Sequence, residues 1–229
     1  MKSKKIISIS LSSNTQKNDF KLARKLLFCR ANNPEQGVVL EKKFQALLGQ
    51  KHCFAFNSGR VAFLAILQAI GLQENDEVIV QAFTCVALIN PILFQKAKPI
   101  FCDINDTLNI DIDDLKNKIT QKTKAIVVQH TFGWPADIEQ IKKIAQENHI
   151  YLIEDCAHAL GAKYQGKYCG TFGDVSFFSF GRDKIISSVF GGMAATNNLE
   201  IADKIERFQQ NLKYPSSFWV TRQLLHPIL

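Results

Sequence analysis

The sequence has no C-x-x-C pair, no H-x-x-x-H spacing and no apolar run approaching the length of a membrane span. Its six cysteines (Cys29, Cys53, Cys85, Cys102, Cys156, Cys169) and five histidines (His52, His130, His149, His158, His226) are scattered along the chain. Ligand spacing for a structural zinc is therefore missing, and no metal is expected. Most of the cysteines sit in apolar runs, which fits buried free thiols in a reducing cytoplasm better than a disulfide framework. The opening MKSKKIISIS is basic, but its apolar stretch is short and broken by serines, which argues against a signal peptide. No membrane-spanning segment is expected either. Internal repeats, low-complexity tracts and obvious linkers are also missing. What remains is a globular chain of 229 residues, 46% hydrophobic, enough for one large domain or a domain and a half.

The 28 basic and 21 acidic residues leave a formal charge of +7. Such an excess suits phosphates, sugar nucleotides or nucleic acid. Much of it is scattered lysine, as at Lys42, Lys43, Lys116, Lys118, Lys122, Lys142 and Lys143. That pattern reads as a solvated surface, and no nucleic-acid partner is expected.

From residue 52 onward, short β-branched or aromatic runs alternate with helix-periodic segments, the pattern of β-α-β units around a mainly parallel sheet. The pattern predicts seven strands, near His52–Phe56, Glu77–Val80, Pro99–Asp103, Lys124–Gln129, Tyr151–Glu154, Val175–Phe180 and Gly192–Thr196. Helices are predicted over Arg60–Ile70, Thr84–Lys96, Asp111–Ile119, Asp137–Asn148 and Leu199–Leu212, with Pro91 kinking or shortening the second. Residues 1–50 read as a helical lead-in, with an amphipathic helix over Asp19–Phe28. The glycine-rich segment Gly161–Gly173 suits a small hairpin or surface loop.

Three features fall at predicted strand ends, where open α/β sheets place ligands. Asn57-Ser58-Gly59-Arg60 opens a helix, so its backbone N–H groups, a hydroxyl and a guanidinium could cradle a phosphate, or Ser58 could simply cap the helix. Glu154-Asp155 ends an apolar strand. A carboxylate delivered there is costly to bury unless it meets a cation, such as a protonated pyridine nitrogen; the alternative is a local cap at Asp155. Lys184 follows the aromatic strand Phe177-Phe178-Ser179-Phe180 and precedes Gly191-Gly192. It is either a Schiff-base lysine in a partly desolvated pocket or a solvated loop residue.

The ordered set Asn57-Ser58-Gly59, Asp76 to Val80, Phe83-Thr84, Lys98 to Asp103, Thr123 to Ile126, Pro135-Ala136-Asp137, Glu154 to Ala159, Gly173-Asp174, Phe178-Ser179-Phe180, Lys184 and Gly191-Gly192 resembles the DegT and StrS family of nucleotide-sugar aminotransferases. The likeness runs from about Leu40 to Asn198. It implies an α/β fold type I large domain that binds pyridoxal phosphate. It also implies transfer of an amino group, from glutamate in most of the family, to a keto-sugar, in a cytoplasmic homodimer. Residue by residue, it implies that Lys184 holds the cofactor and carries the catalytic proton, and that Asp155 pairs with the pyridine nitrogen. His158 would contact the ring, while Ser179 and Ser58-Gly59-Arg60 would hold the phosphate.

The sequence departs from the family at three points. Arg60 stands where threonine is common, and Cys85 replaces an aromatic that often stacks on the pyridine ring, leaving Phe83 or nothing for that work. Lys184 itself argues against the dehydratase members, in which histidine replaces the lysine. Family members also continue into a smaller C-terminal domain, so the large domain is expected over 51–198. Residues 199–229 are then expected to be the helical start of a connection to a missing or truncated small domain, the chain being a fragment or a shortened homologue. Two other readings stand beside this one: a non-catalytic pyridoxal-phosphate-binding or regulatory homologue, and a generic anion-binding α/β module.

Overall fold

The structure, a computed structural model, describes residues 17–29 and 35–225. The basic opening segment, the Cys29 side chain, His226 and Ile228-Leu229 lie outside that description. The strands are β1 (His52–Phe56), β2 (Glu77–Gln81), β3 (Lys98–Cys102), β4 (Thr123–Gln129), β5 (Tyr151–Asp155), β6 (Lys163–Tyr164), β7 (Lys167–Tyr168), β8 (Val175–Ser179) and β9 (Gly192–Thr196). The helices are α1 (Lys17–Cys29), α2 (Glu35–Leu48), α3 (Gly59–Ala69), α4 (Val86–Phe94), α5 (Ile112–Lys118), α6 (Ile138–Glu147), α7 (Leu199–Gln210) and α8 (Ser217–Leu225).

Seven strands form one sheet in the order β1-β9-β8-β5-β4-β2-β3, and β6-β7 is a separate hairpin inside the predicted glycine-rich segment. β8, β5, β4, β2 and β3 are parallel, whereas β9 is antiparallel to both of its neighbours. The reason is connection length. A parallel neighbour needs a crossover element, and only the loop Phe180–Gly191 separates β8 from β9. That loop carries Lys184.

Because both faces of the sheet are covered, its strands are apolar on both sides. Val78, Val80, Ala125, Val127 and Ile153 face a cluster with Leu88 and Ile92 of α4, Ile201 and Ile205 of α7, and the apolar side of α3. Ile79, Ile126, Val128 and Leu152 face Leu115 of α5 and Ile138, Ile141 and Ile144 of α6. A third cluster joins Phe44 and Leu48 of α2 to Phe178, Phe180 and Met193, with Phe44 edge-on to Phe178 at 5.1 Å. The packed unit thus extends through α7 to Gln210 and back to α2.

Two local expectations change. The helix expected over Thr84–Lys96 is only nine residues long; Cys85 caps its start, and Pro91 lies within it as a residue that cannot donate to the helix. In the segment expected to be a helical connection, α8 (Ser217–Leu225) is a second short helix, whose own bounds were not predicted and which has no buried residue.

Candidate functional site

The C-terminal ends of β1, β2, β4, β5 and β8 open on the same edge of the sheet, and a cleft of about 590 Å³ lies there. All eight side chains or backbone sites singled out from the sequence line it: Ser58, Gly59, Arg60, Cys85, Asp155, His158, Ser179 and Lys184. The volume suits a small-molecule site.

At one end, α3 meets β8 and β9. Ser58 is the N-cap of α3, its Oγ accepting from Val61 N at 3.3 Å, while the first-turn N–H groups of Gly59 and Arg60 have no intrahelical partner. A Cβ on Gly59 would lie 2.9 Å from Ser179 Cβ, and one on Gly192 would lie 2.4 Å from Gly59 N and Ser58 C. Both glycines are therefore needed for close approach, which places the Ser58 and Ser179 hydroxyls beside the open end of the helix. The structure shows Ser58 in the capping role. Gly192→Ala is expected to push α3 away from β9, destabilising the fold by about 1–3 kcal/mol and weakening phosphate binding at the helix N-terminus. Urea unfolding beside a pyridoxal phosphate titration checks this; unchanged values in both would contradict the close-packing account.

Deeper in the cleft, Asp155 ends β5. Burial pushes its carboxyl up to about 6, against a hydrogen bond from Ala157 N and the charge of Lys184. Its Oδ1 accepts from Ala157 N at 2.9 Å, so the local cap uses one side of the carboxylate.

Glu154 points to the opposite face and does different work. It is fully buried and accepts from Gly170 N, Phe172 N and Gly173 N, each at 2.7 Å, and from His130 Nε2 at 3.0 Å. His130 Nδ1 accepts from Ala136 N at 3.2 Å, which fixes the ring proton on Nε2, where it is given to Glu154. His130, Glu154 and Cys156 bring three donor atoms within 4.8 Å of one another. The histidine and carboxylate lone pairs are already engaged, and burial holds the Cys156 thiol well above its ordinary value. The cluster is a hydrogen-bonded brace, not a cation cage.

Lys184 Nζ lies 3.0 Å from His158 Nε2 and 3.2 Å from Asp183 Oδ2. Burial, then the lysine charge, lowers the His158 pKa. The neutral ring accepts the lysine proton at Nε2, which leaves the ring proton on Nδ1, a buried atom with no partner among the described residues. Phe132 stacks on the His158 ring at 5.6 Å and 16°, and Phe83 meets Phe132 edge-on at 6.1 Å. Phe132 adopts a left-handed backbone at φ 51, a conformation that non-glycine residues rarely take.

Most of the described thiols are buried, as expected, and Cys85 is the one that opens on the cleft. Cys53, Cys102, Cys156 and Cys169 are buried, whereas Cys85 is exposed at the start of α4, its sulfur accepting from Ala87 N at 3.4 Å. Phe132, three residues beyond the end of β4 in the turn Thr131–Gly133, was not foreseen. The same holds for Thr84, Gln129 and Thr131, which line the cleft through Thr84 Oγ1→Gln129 Oε1 at 2.7 Å and Gln129 Nε2→Thr131 Oγ1 at 3.1 Å.

Taken together, the cleft offers an anion cradle at one end, a buried carboxylate in want of a cation, an orphaned imidazole N–H and a lysine amine. Pyridoxal phosphate carries groups that answer each of these.

The family model for the DegT/DnrJ/EryC1/StrS aminotransferase family matches residues 32–217. GDP-perosamine synthase of Escherichia coli O157:H7 is 42% identical over 181 residues, covering 78% of this chain and 50% of that protein. Among solved structures, the aminotransferase from Psychrobacter cryohalolentis superposes with a TM-score of 0.81 at 30% identity, over 89% of this chain and 53% of that one. The E. coli GDP-4-keto-6-deoxy-D-mannose-3-dehydratase with bound hydrated PLP does so with a TM-score of 0.76 at 30% identity, over 86% and 52%. The chain spans about half the length of the curated relatives it matches.

Proposed function

The chain belongs to the DegT/DnrJ/EryC1/StrS aminotransferase family, and from that premise we propose that it is the large catalytic part of a pyridoxal-phosphate-dependent transaminase. The amino group passes from a donor such as glutamate to a keto-sugar carried on a nucleotide. The observation that carries this reading is the pairing, across one cleft, of a buried Asp155 carboxylate with the Lys184 amine. The sugar-nucleotide name of the E. coli synthase and the cofactor in the dehydratase structure support the substrate class and the cofactor.

When bound, the cofactor supplies the electron sink that lets a C–H bond beside nitrogen ionise. The protein supplies position and charge. Lys184 Nζ would hold the cofactor covalently and, once released, move the proton at the reacting carbon. Asp155 would keep the ring nitrogen protonated. Ser58, Ser179, the N–H groups of Gly59 and Arg60, and the Arg60 guanidinium would hold the phosphate. His158, braced by Phe132, would lie against the ring and offer Nδ1–H, while Cys85 would leave ring stacking to its aromatic neighbours. The exposed apolar side chains Phe83, Val86 and Phe132 near the cleft mouth support a homodimer closing over it. The five described cysteines are free, which supports a cytoplasmic setting.

The test is covalent. Pyridoxal phosphate added to the protein is expected to give a yellow absorbance, and borohydride followed by peptide mapping should place the label on Lys184. Lys184→Ala should lose both signals. A label that lands on another lysine, or absorbance that survives the substitution, removes the central residue from the proposal.

A further inference from the structure

Two guanidinium groups line the cleft, those of Arg60 and Arg182, and neither pairs with a carboxylate among the described residues. Arg60 sits at the phosphate cradle. Arg182 does not: it stands on the Phe180–Gly191 loop, two positions before Lys184.

Its side chain is splinted from two directions. The guanidinium carbon lies 5.4 Å over the Phe190 ring, and Nη2 donates to Gln223 Oε1 of α8 at 3.3 Å. Phe190 is itself backed by Trp219 of α8, with ring centroids 5.1 Å apart. A guanidinium has five N–H donors, and this arrangement engages one of them. The remaining edge is the flat fork that suits a carboxylate or phosphate in two-point contact. Holding a long side chain against an aromatic face also lowers the ordering cost of binding. The splint comes entirely from Phe190 and α8, so the position of the cation is set independently of the cradle at Ser58 and Ser179.

We infer that Arg182 receives a second anionic group, a carboxylate or phosphate borne by a substrate, separate from the phosphate held at Ser58, Gly59 and Ser179. The inference rests on the amino-transfer reading, in which the donor brings carboxylates and the acceptor brings phosphates. Arg182 is then a specificity-determining residue. Its loop ties anion recognition to the lysine, since one short segment carries both Arg182 and Lys184.

The experiment starts from wild-type protein with pyridoxal phosphate fixed on Lys184 by borohydride, so that the cradle is filled. That protein is titrated calorimetrically with 2-oxoglutarate in one arm and with a nucleoside diphosphate in the other. Arg182→Gln is expected to weaken at least one ligand by about tenfold or more, and the arm that responds identifies the source of the anion. Arg182→Lys, which keeps the charge and loses the fork, should recover only part of the affinity. Gln223→Ala and Phe190→Leu should weaken the same ligand by a smaller factor, because they loosen the splint without removing the cation. Equal affinities in wild type and Arg182→Gln for both ligands, or no binding of either by wild type, would overturn the inference. If wild-type Lys184 takes no label, the amino-transfer reading falls and this inference falls with it. A labelled Lys184 with unchanged affinities sinks this inference alone.

Discussion

Asp155→Asn is expected to stabilise the cofactor-free protein at neutral pH while crippling amino transfer. Burial raises the Asp155 carboxyl to about 6, above the value near 4 of an unfolded aspartate. Between those two values the folded state binds more protons than the unfolded one. The contribution of this group to stability is therefore complete below about pH 4 and is lost as pH rises through about 6. The loss is on the order of 2–3 kcal/mol. Asparagine has nearly the same shape, keeps an oxygen for Ala157 N, and carries no charge to bury. The variant should match wild type at pH 4 and exceed it at pH 7 in chemical denaturation. A bound pyridinium would supply the missing cation, so pyridoxal phosphate should stabilise wild type more at pH 7 than at pH 5, a difference that disappears in the variant. With the ring nitrogen no longer held protonated, the half-reaction with an amino donor should slow by about a hundredfold or more. Equal pH profiles for the two proteins, or near-normal rates, would take Asp155 out of the account.

The neighbouring carboxylate predicts the opposite behaviour. Glu154→Ala leaves Gly170 N, Phe172 N, Gly173 N and His130 Nε2 without the acceptor they share, and all but the Gly173 bond are buried. Breaking such a buried charged network costs about 3–5 kcal/mol, a large part of the 5–15 kcal/mol typical of a folded domain. Urea denaturation should show that loss, together with a loosened Gly170–Gly173 turn in hydrogen exchange. The exposed pair Lys143–Glu147, at 3.9 Å, provides the contrast: Glu147→Ala should cost under about 1 kcal/mol. A Glu154→Ala protein as stable as Glu147→Ala would show that the brace is dispensable.

Strand positions were legible because buried strands write themselves as short apolar runs; even the antiparallel pair His52–Phe56 and Gly192–Thr196 falls where the pattern put it. Ligand-side residues were legible because strand ends and glycine turns mark the mouth of an α/β sheet. What was not legible depends on contacts between distant segments. Glu154 and Asp155 are adjacent and chemically alike, and nothing local says that one will meet three N–H groups from a turn sixteen to nineteen residues later. Phe132 reads as an ordinary loop aromatic until the fold lays it on His158. Helix α8 takes its place through Phe190, Trp219, Arg182 and Gln223, pairings that no period in its own sequence announces.

The seating of β1 against β9 has a consequence for synthesis on the ribosome. His52 pairs with Thr196 and Phe56 with Gly192, partners separated by about 140 residues, and Ser58 and Gly59 rest directly on Gly192. At roughly 5–20 residues per second, the β1 segment emerges many seconds before β9, its one sheet neighbour among the described residues, exists. During that interval the apolar side of α3, with Phe63, Ile66 and Leu67, has neither β8 nor β9 to cover it. The nascent chain is therefore most vulnerable to misassociation while its middle third is being made, and holding by a chaperone would matter most in that interval.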